Sequence, residues 1–295
     1  MSDPPIHSPF AAAFTPGTRL LDERGGHIEL SIHALGPLHV PGGSIAVADP
    51  FTTDFADPPA AFHRRVVPGS YPVELAIAHF SNADQRVACA RVRLTDDPVL
   101  RWEPAWFAAP TDPGDPDAYG VDAGMGCFFD PGPHGPVDDS SWLATAEAHR
   151  RDTWTWLVAE RGPANIVMFS SGWGDGLYPS YWGLAADDRV AQLVTDFEVL
   201  LTSLDKPLRF PLPLRRGRLE HPLLRAHDIH VDAPLLSRTS VVIRGRGHAR
   251  VELSDGAPVA IQYTSLGQRC TWKKPAPGTE LIVRVLVGLR PCTLA

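Results

Sequence analysis

The chain lacks most of the patterns from which chemistry can be read directly. Its four cysteines, Cys89, Cys127, Cys270 and Cys292, form no CxxC pair, which excludes zinc-knuckle and thioredoxin-type spacings. Cys89 and Cys127 lie inside apolar runs and read as buried free thiols, small hydrophobes in effect. There is no P-loop, no GxGxxG after a strand and no HExxH, so nucleotide cradles and zincin chemistry have no local signature. Ser170-Ser171-Gly172 is not a GxSxG elbow. Nucleophilic catalysis at Cys127 would need His134 or His149 brought to it by the fold. No apolar run approaches the roughly 18 residues of a membrane span, and the opening "MSDPPIHSPF" lacks the basic-apolar-small order of a signal peptide. The expectation is a cytoplasmic protein with reduced thiols and no membrane contact. A basic footprint is also missing: 34 acidic residues stand against 27 basic ones, a net charge of −7. The arginine clusters at 214–218 and 244–250 are short, so nucleic acid is not an expected partner.

Turn formers are abundant instead. Thirty prolines and twenty-five glycines occur in 295 residues, and both residue types interrupt helices. Apolar residues make up 44%, enough for a core, and the length gives a soft prior of two domains. Residues 1–17 lack periodicity and read as an irregular arm. "HIELSIHAL" (27–35) alternates with period two, as a strand does. "GGSIAVADPF", "PGSYPVELAIAHF" (68–80) and "QRVACARVRL" (85–94) read as further strands, the last two joined by a hairpin loop, "SNADQ". "APTDPGDPDA" (109–118) is a loop, and "YGVDAGMGCFFD" (119–130) is apolar chain broken by glycine.

Residues 140–161, "SSWLATAEAHRRDTWTWLVAER", predict one long helix. Ser140 or Ser141 would cap it, Leu143, Ala146, Trp154, Leu157 and Val158 recur at helical spacing, and Gly162-Pro163 would stop it. "NIVMFSSGW" (165–173), "LYPSYWGL" (177–184) and "RVAQLVTDFEVL" (189–200) predict three strands of an antiparallel meander with connectors "GDG" and "AADD". Residues 206–218, rich in proline and arginine, read as a linker. Strand patterns at 240–246, 249–255, 258–265 and 280–289 make 219–295 a small all-β, sandwich-like module, with Asp255-Gly256 as a tight turn. The predicted fold class is α+β and β-rich: mostly antiparallel sheet with one long helix over 18–205, then the all-β module.

At "VDAGMGCFFD" and "SGWGDGLYPSYWGL…LVTDFEVL", with "VPGSYPVELAIAHF" and "RVACARVRL" upstream, the chain resembles a bacterial family known as domain of unknown function 4241. The resemblance covers roughly residues 30–205. It implies a soluble prokaryotic protein and supplies no catalytic residues.

The candidate site residues cluster in "GWGDGLYPSYWG" (172–183), twelve residues with one carboxylate, four glycines and four aromatic rings. Asp175 is either a carboxylate on a ligand-accessible glycine loop or the Asp-Gly of a type I′ hairpin turn. Trp173, Tyr178, Tyr181 and Trp182 are either a stacking platform for a ligand such as a carbohydrate or core residues. Asp122 and Asp130, with Asp175 or Asp196, could gather a hard divalent cation or cap strand ends. In "HDIHVD" (227–232), Asp228, His230 and Asp232 fall on one face of an extended chain, as metal ligands or as the charges of an edge strand. The cofactor stays open, with a divalent metal as the candidate these carboxylates suggest. The leading expectation is an interaction or accessory protein. The alternatives are a carboxylate-based, hydrolase-like enzyme centred on Asp122 and Asp175, with or without a metal, and a small-ligand binder using the aromatic platform.

Overall fold

The computed structural model describes residues 7–21, 26–108, 118–204, 207–234, 239–245, 249–264 and 267–289. Two compact units emerge. The larger spans Ser8–Pro110 and Asp117–Leu200 and takes in Leu289; the smaller comprises Leu201–Gly288. No helix among the described residues is long and apolar enough to cross a membrane.

The larger unit runs α1 (Phe10–Ala13), β1 (Arg19–Leu21), β2 (His27–Val40), β3 (Ala46–Ala48), β4 (Gly69–His79), β5 (Gln85–Arg93), β6 (Arg101–Pro104), β7 (Ala118–Val121), β8 (Met125–Phe129), α2 (Trp142–Ala148), β9 (Trp156–Arg161), β10 (Ala164–Ser170), β11 (Gly176–Leu184) and β12 (Val190–Asp196). An eight-stranded sheet has the order β1-β2-β4-β5-β12-β11-β6, with β7 also pairing β11; a four-stranded sheet has the order β3-β8-β10-β9. All of these pairings are antiparallel.

The second sheet explains why "IVMF" (166–169) is continuously apolar. Val167 and Phe169 enter the core cluster shared with the large sheet, while Ile166 and Met168 join Phe55, Trp142 and Ala146 on the opposite face. A strand covered on both faces has no side left for polar residues. Trp142 and Ala146, four apart on α2, provide the outer cover.

The long helix expected over 140–161 is not there. The segment is α2, only seven residues, followed by the strand β9. Leu143, expected on the core face, is 75% exposed. Leu157 and Arg161 are buried while Val158 and Glu160 are exposed, so the true period there is two. The run Thr153-Trp154-Thr155-Trp156 is β-branched and aromatic, residue types that favour a pleated strand over a helix. The apolar positions fitted a helical spacing, but packing on β10 selected the strand.

The expected meander is also corrected. β11 and β12 do form a hairpin, but β10 belongs to the other sheet, so residues 171–175 cross between sheets. Gly172 marks the crossing. Its φ is +52°, and a Cβ there would lie 2.8 Å from Cβ of Phe197, so only glycine fits. Likewise "YGVDAGMGCFFD" contributes β7 to the large sheet and β8 to the small one, with the switch at Asp122–Gly124. The loop expected at 109–118 lies almost wholly outside the described residues, as does Cys292. Phe10–Ala13 of the expected irregular arm is helical, and Phe10 is buried against Trp102 and Tyr181.

The smaller unit contains β13 (Leu201–Ser203), β14 (Leu208–Pro211), β15 (Gly217–Arg218), α3 (Pro222–Ala226), β16 (Ile229–Ala233), β17 (Ser240–Gly245), β18 (Ala249–Leu253), β19 (Ala260–Thr264), β20 (Gly267–Thr271) and β21 (Glu280–Gly288). In one sheet β21 pairs β13, β14 and β18; the other has the order β15-β16-β17-β20-β19. Leu208, Val251, Leu281 and Val283 of the first share a core with Val231, Val241, Ile243 and Cys270 of the second. Residues 206–218, expected as a linker, carry β14 and β15. Asp255-Gly256 turns the chain out of β18, but β18 and β19 pair with different strands.

Candidate functional site

The geometry around "GWGDG" is set by a residue that the sequence did not point to. Asp49 follows β3 and is only 2% exposed. Its Oδ1 accepts from the N–H of Phe51 at 2.9 Å, and its Oδ2 accepts from the N–H groups of Asp122 and Ala123 at 2.8 and 2.7 Å. A buried carboxylate must be met by donors, and here backbone amides meet it, pinning the turn at 122–124. That turn is tied to the crossing loop by the N–H of Ser171 donating to the carbonyl of Gly124 at 3.1 Å. Within the loop, the N–H of Gly174 donates to the carbonyl of Ser171, the Ser171 hydroxyl donates to the carbonyl of Gly174, and Tyr178 Oη donates to both carbonyls.

The β7–β11 ladder begins at Gly176 opposite Val121. Asp175 and Asp122 are therefore each one residue beyond the last pair, at the same end of the two strands. Both are exposed, and among the described residues neither carboxylate has a side-chain or backbone partner. Trp173, two residues before Asp175 in the chain, is 54% exposed. Its ring lies 5.6 Å from that of Phe80, and the Arg86 guanidinium lies 4.9 Å from its centroid. The exposed indole is propped by a cation–π contact. The Asp175 turn is thus not a hairpin tip: Gly174, at φ +108°, serves the sheet crossing.

The aromatic platform does not exist as a platform. Tyr178, Tyr181 and Trp182 are 5%, 2% and 0% exposed. Trp182 packs edge-on against Phe62, Tyr181 against Phe10 and Tyr178 against Phe197. Rings with both faces in the core cannot stack on a ligand. Only Trp173 remains accessible.

The other suspect carboxylates are structural. Asp130 is buried; it accepts from the N–H groups of Gly42 and Gly132, and Nε2 of His134 lies 2.9 Å away. Asp196, fully buried, accepts from the N–H and hydroxyl of Ser8 and from the N–H of Glu198. Burial pushes its carboxyl above the ordinary range. Among the described residues, no group of three or more His, Cys, Asp or Glu side chains is placed to hold a metal. This applies to Asp228, His230 and Asp232. His230 and Asp232 do alternate outward from β16. However, Asp228 precedes the strand at φ +49° with its Oδ1 3.2 Å from His230, and Asp232 lies 3.4 Å from Arg218 and 3.7 Å from Arg244.

Cys127 is fully buried, and its Sγ donates to the carbonyl of Ala48 at 3.3 Å. Burial holds the thiol well above its ordinary pKa, which suppresses the thiolate. Neither expected histidine serves it: His134 faces Asp130, and His149 stacks on Trp156 with Nδ1 3.0 Å from that residue's carbonyl.

The fold and rim define a class of β-rich protein, built of antiparallel sheets, whose exposed carboxylates converge where chain passes between two sheets. Residues 38–195 match the family described as protein of unknown function (DUF4241), and the chain belongs to that family. No curated protein and no solved structure matches the chain.

Proposed function

We propose that the chain is a bacterial, cytoplasmic accessory protein that binds a partner protein at the rim formed by Asp122, Trp173 and Asp175. The observation that supports this reading best is the β7–β11 register, which brings two exposed carboxylates to one end of a ladder, with the exposed indole of Trp173 two residues along the chain from Asp175. Tryptophan is enriched among the residues that dominate interfaces, because one rigid ring buries a large area. The two carboxylates select a basic partner surface and steer its approach. The rim is rigid because Asp49 and Tyr178 fasten its backbone, so little conformational freedom is lost on binding.

The test is photo-crosslinking from a benzophenone amino acid at position 173 in the native host. A discrete adduct that disappears in the Asp122→Lys, Asp175→Lys variant is the expected result. Adducts unchanged by charge reversal would defeat the reading. The same pair of carboxylates also favours a second reading, a hydrolase-like site. It requires Asp122→Asn and Asp175→Asn to abolish a ligand-induced rise in melting temperature or to remove a bound metal.

A further inference from the structure

A different site, independent of the rim reading, lies along β2 and β4. The residues of β2 alternate: Ile28 and Leu30 are buried, while His27, Glu29 and Ser31 face the other way. The antiparallel register sets Glu29 directly opposite His79 and Ser31 opposite Ile77. Glu29, Ser31 and His79 therefore share one face, Ser31 diagonal to His79. The hydroxyl oxygen of Ser31 lies 2.6 Å from Nε2 of His79. Both line a cavity of about 470 Å³ whose walls also include Arg19, Glu29, Phe80 and Ser81. The volume is within the range of small-molecule sites, roughly 300–1,000 Å³.

We infer that Ser31 is a nucleophile served by His79 as general base, acting on small carboxylic esters. A serine hydroxyl is a weak nucleophile until an adjacent base takes its proton, and the 2.6 Å contact is within the required reach. In the first step Ser31 Oγ bonds to the acyl carbon and its proton passes to Nε2 of His79. The bond from acyl carbon to the leaving oxygen then breaks, and that oxygen takes the proton from Nε2. In the second step water attacks the acyl carbon and gives a proton to Nε2. The Ser31 Oγ–acyl bond breaks, Oγ recovers the proton, and the carboxylic acid is released. Arg19, whose Nη2 lies 3.2 Å from Oε2 of Glu29, places positive charge on the wall for the developing oxyanion. Glu29, opposite His79 in the register, holds the Arg19 guanidinium on this face. Phe80 supplies the apolar wall for a short acyl or alcohol group.

The experiment is labelling of the full chain with a fluorophosphonate probe, the site identified by peptide mass spectrometry. It is paired with hydrolysis of p-nitrophenyl acetate. Labelling at Ser31 is expected, with loss of label in Ser31→Ala and at least about 100-fold slower labelling in His79→Gln, the usual scale of general-base catalysis. Absence of label on the unaltered protein, label on another residue, or wild-type labelling of a folded His79→Gln variant would each overturn the assignment. The unaltered protein decides the first two outcomes without any variant having to fold.

Discussion

Two stretches of this chain place aspartates close together, and the structure uses them differently. At the rim of the larger unit, Asp122 and Asp175 are positioned by backbone: the Asp49 carboxylate grips the amides of one turn, and Tyr178 grips the carbonyls of the other. Their own carboxylates are left to solvent. In the smaller unit, Asp228 and Asp232 on either side of His230 are engaged by side chains, with His230 and with Arg218 and Arg244. A carboxylate remains available for a partner only where something other than its own charge holds it in place. On that ground the rim, rather than the "HDIHVD" strand, is the better site.

The comparison can be broken most severely at the pin. Asp49→Ala leaves three amide donors without their acceptor, and should cost about 3 kcal/mol of stability on the scale of hydrogen bonds to charged groups, measured by urea unfolding. If Asp49→Ala is as stable as the parent, the rim is not held as described. Gly172→Ala should follow, at about 2 kcal/mol, because its φ of +52° and the contact with Phe197 both oppose a Cβ. Asp232→Asn weakens ion pairs that are partly exposed and should cost no more than about 1 kcal/mol. Asp122→Asn and Asp175→Asn should each change stability by no more than about 0.5 kcal/mol. A larger loss would mean that these carboxylates are structural after all.

A pH titration adds a direction. Burial first, then the charges of Arg151 and His149, hold His33 below the ordinary imidazole range. Below the unfolded imidazole value of about 6.5, the unfolded chain binds a proton that the folded chain resists. The stability contributed by neutral His33 is therefore fully present above that pH and is lost as pH falls through it. The melting temperature should drop less between pH 7 and pH 5.5 in His33→Phe than in the parent.

Much of the architecture could be read from residue order. Alternation in "HIELSIHAL" marked a strand because β2 buries Ile28 and Leu30 and exposes His27 and Glu29; "QRVACARVRL" was legible as a strand although β5 is buried on both faces from Val87 to Ala90. The failure at 140–161 arose where Trp154, Leu157 and Val158 fitted a helical spacing, whereas pairing with β10 buries Leu157 and leaves Val158 exposed. The sheet crossing at 171–175 was hidden because Gly-Asp-Gly suits a hairpin turn and a crossover alike. Asp49 was illegible for a different reason. Its role depends on amides more than seventy positions away, and nothing in "VADPF" reports that distance. Ser31 and His79 lie in separate strand patterns, and their contact exists only through the β2–β4 register.

The claim on which the rim reading rests is the adjacency of positions 122 and 175. Mild oxidation of the double variant Asp122→Cys, Asp175→Cys tests it directly, because a disulfide forms readily only when Cα atoms lie within about 7 Å. Peptide mapping should find residues 122 and 175 joined by a disulfide in most of the folded protein. Two free thiols after oxidation of a folded sample would contradict it.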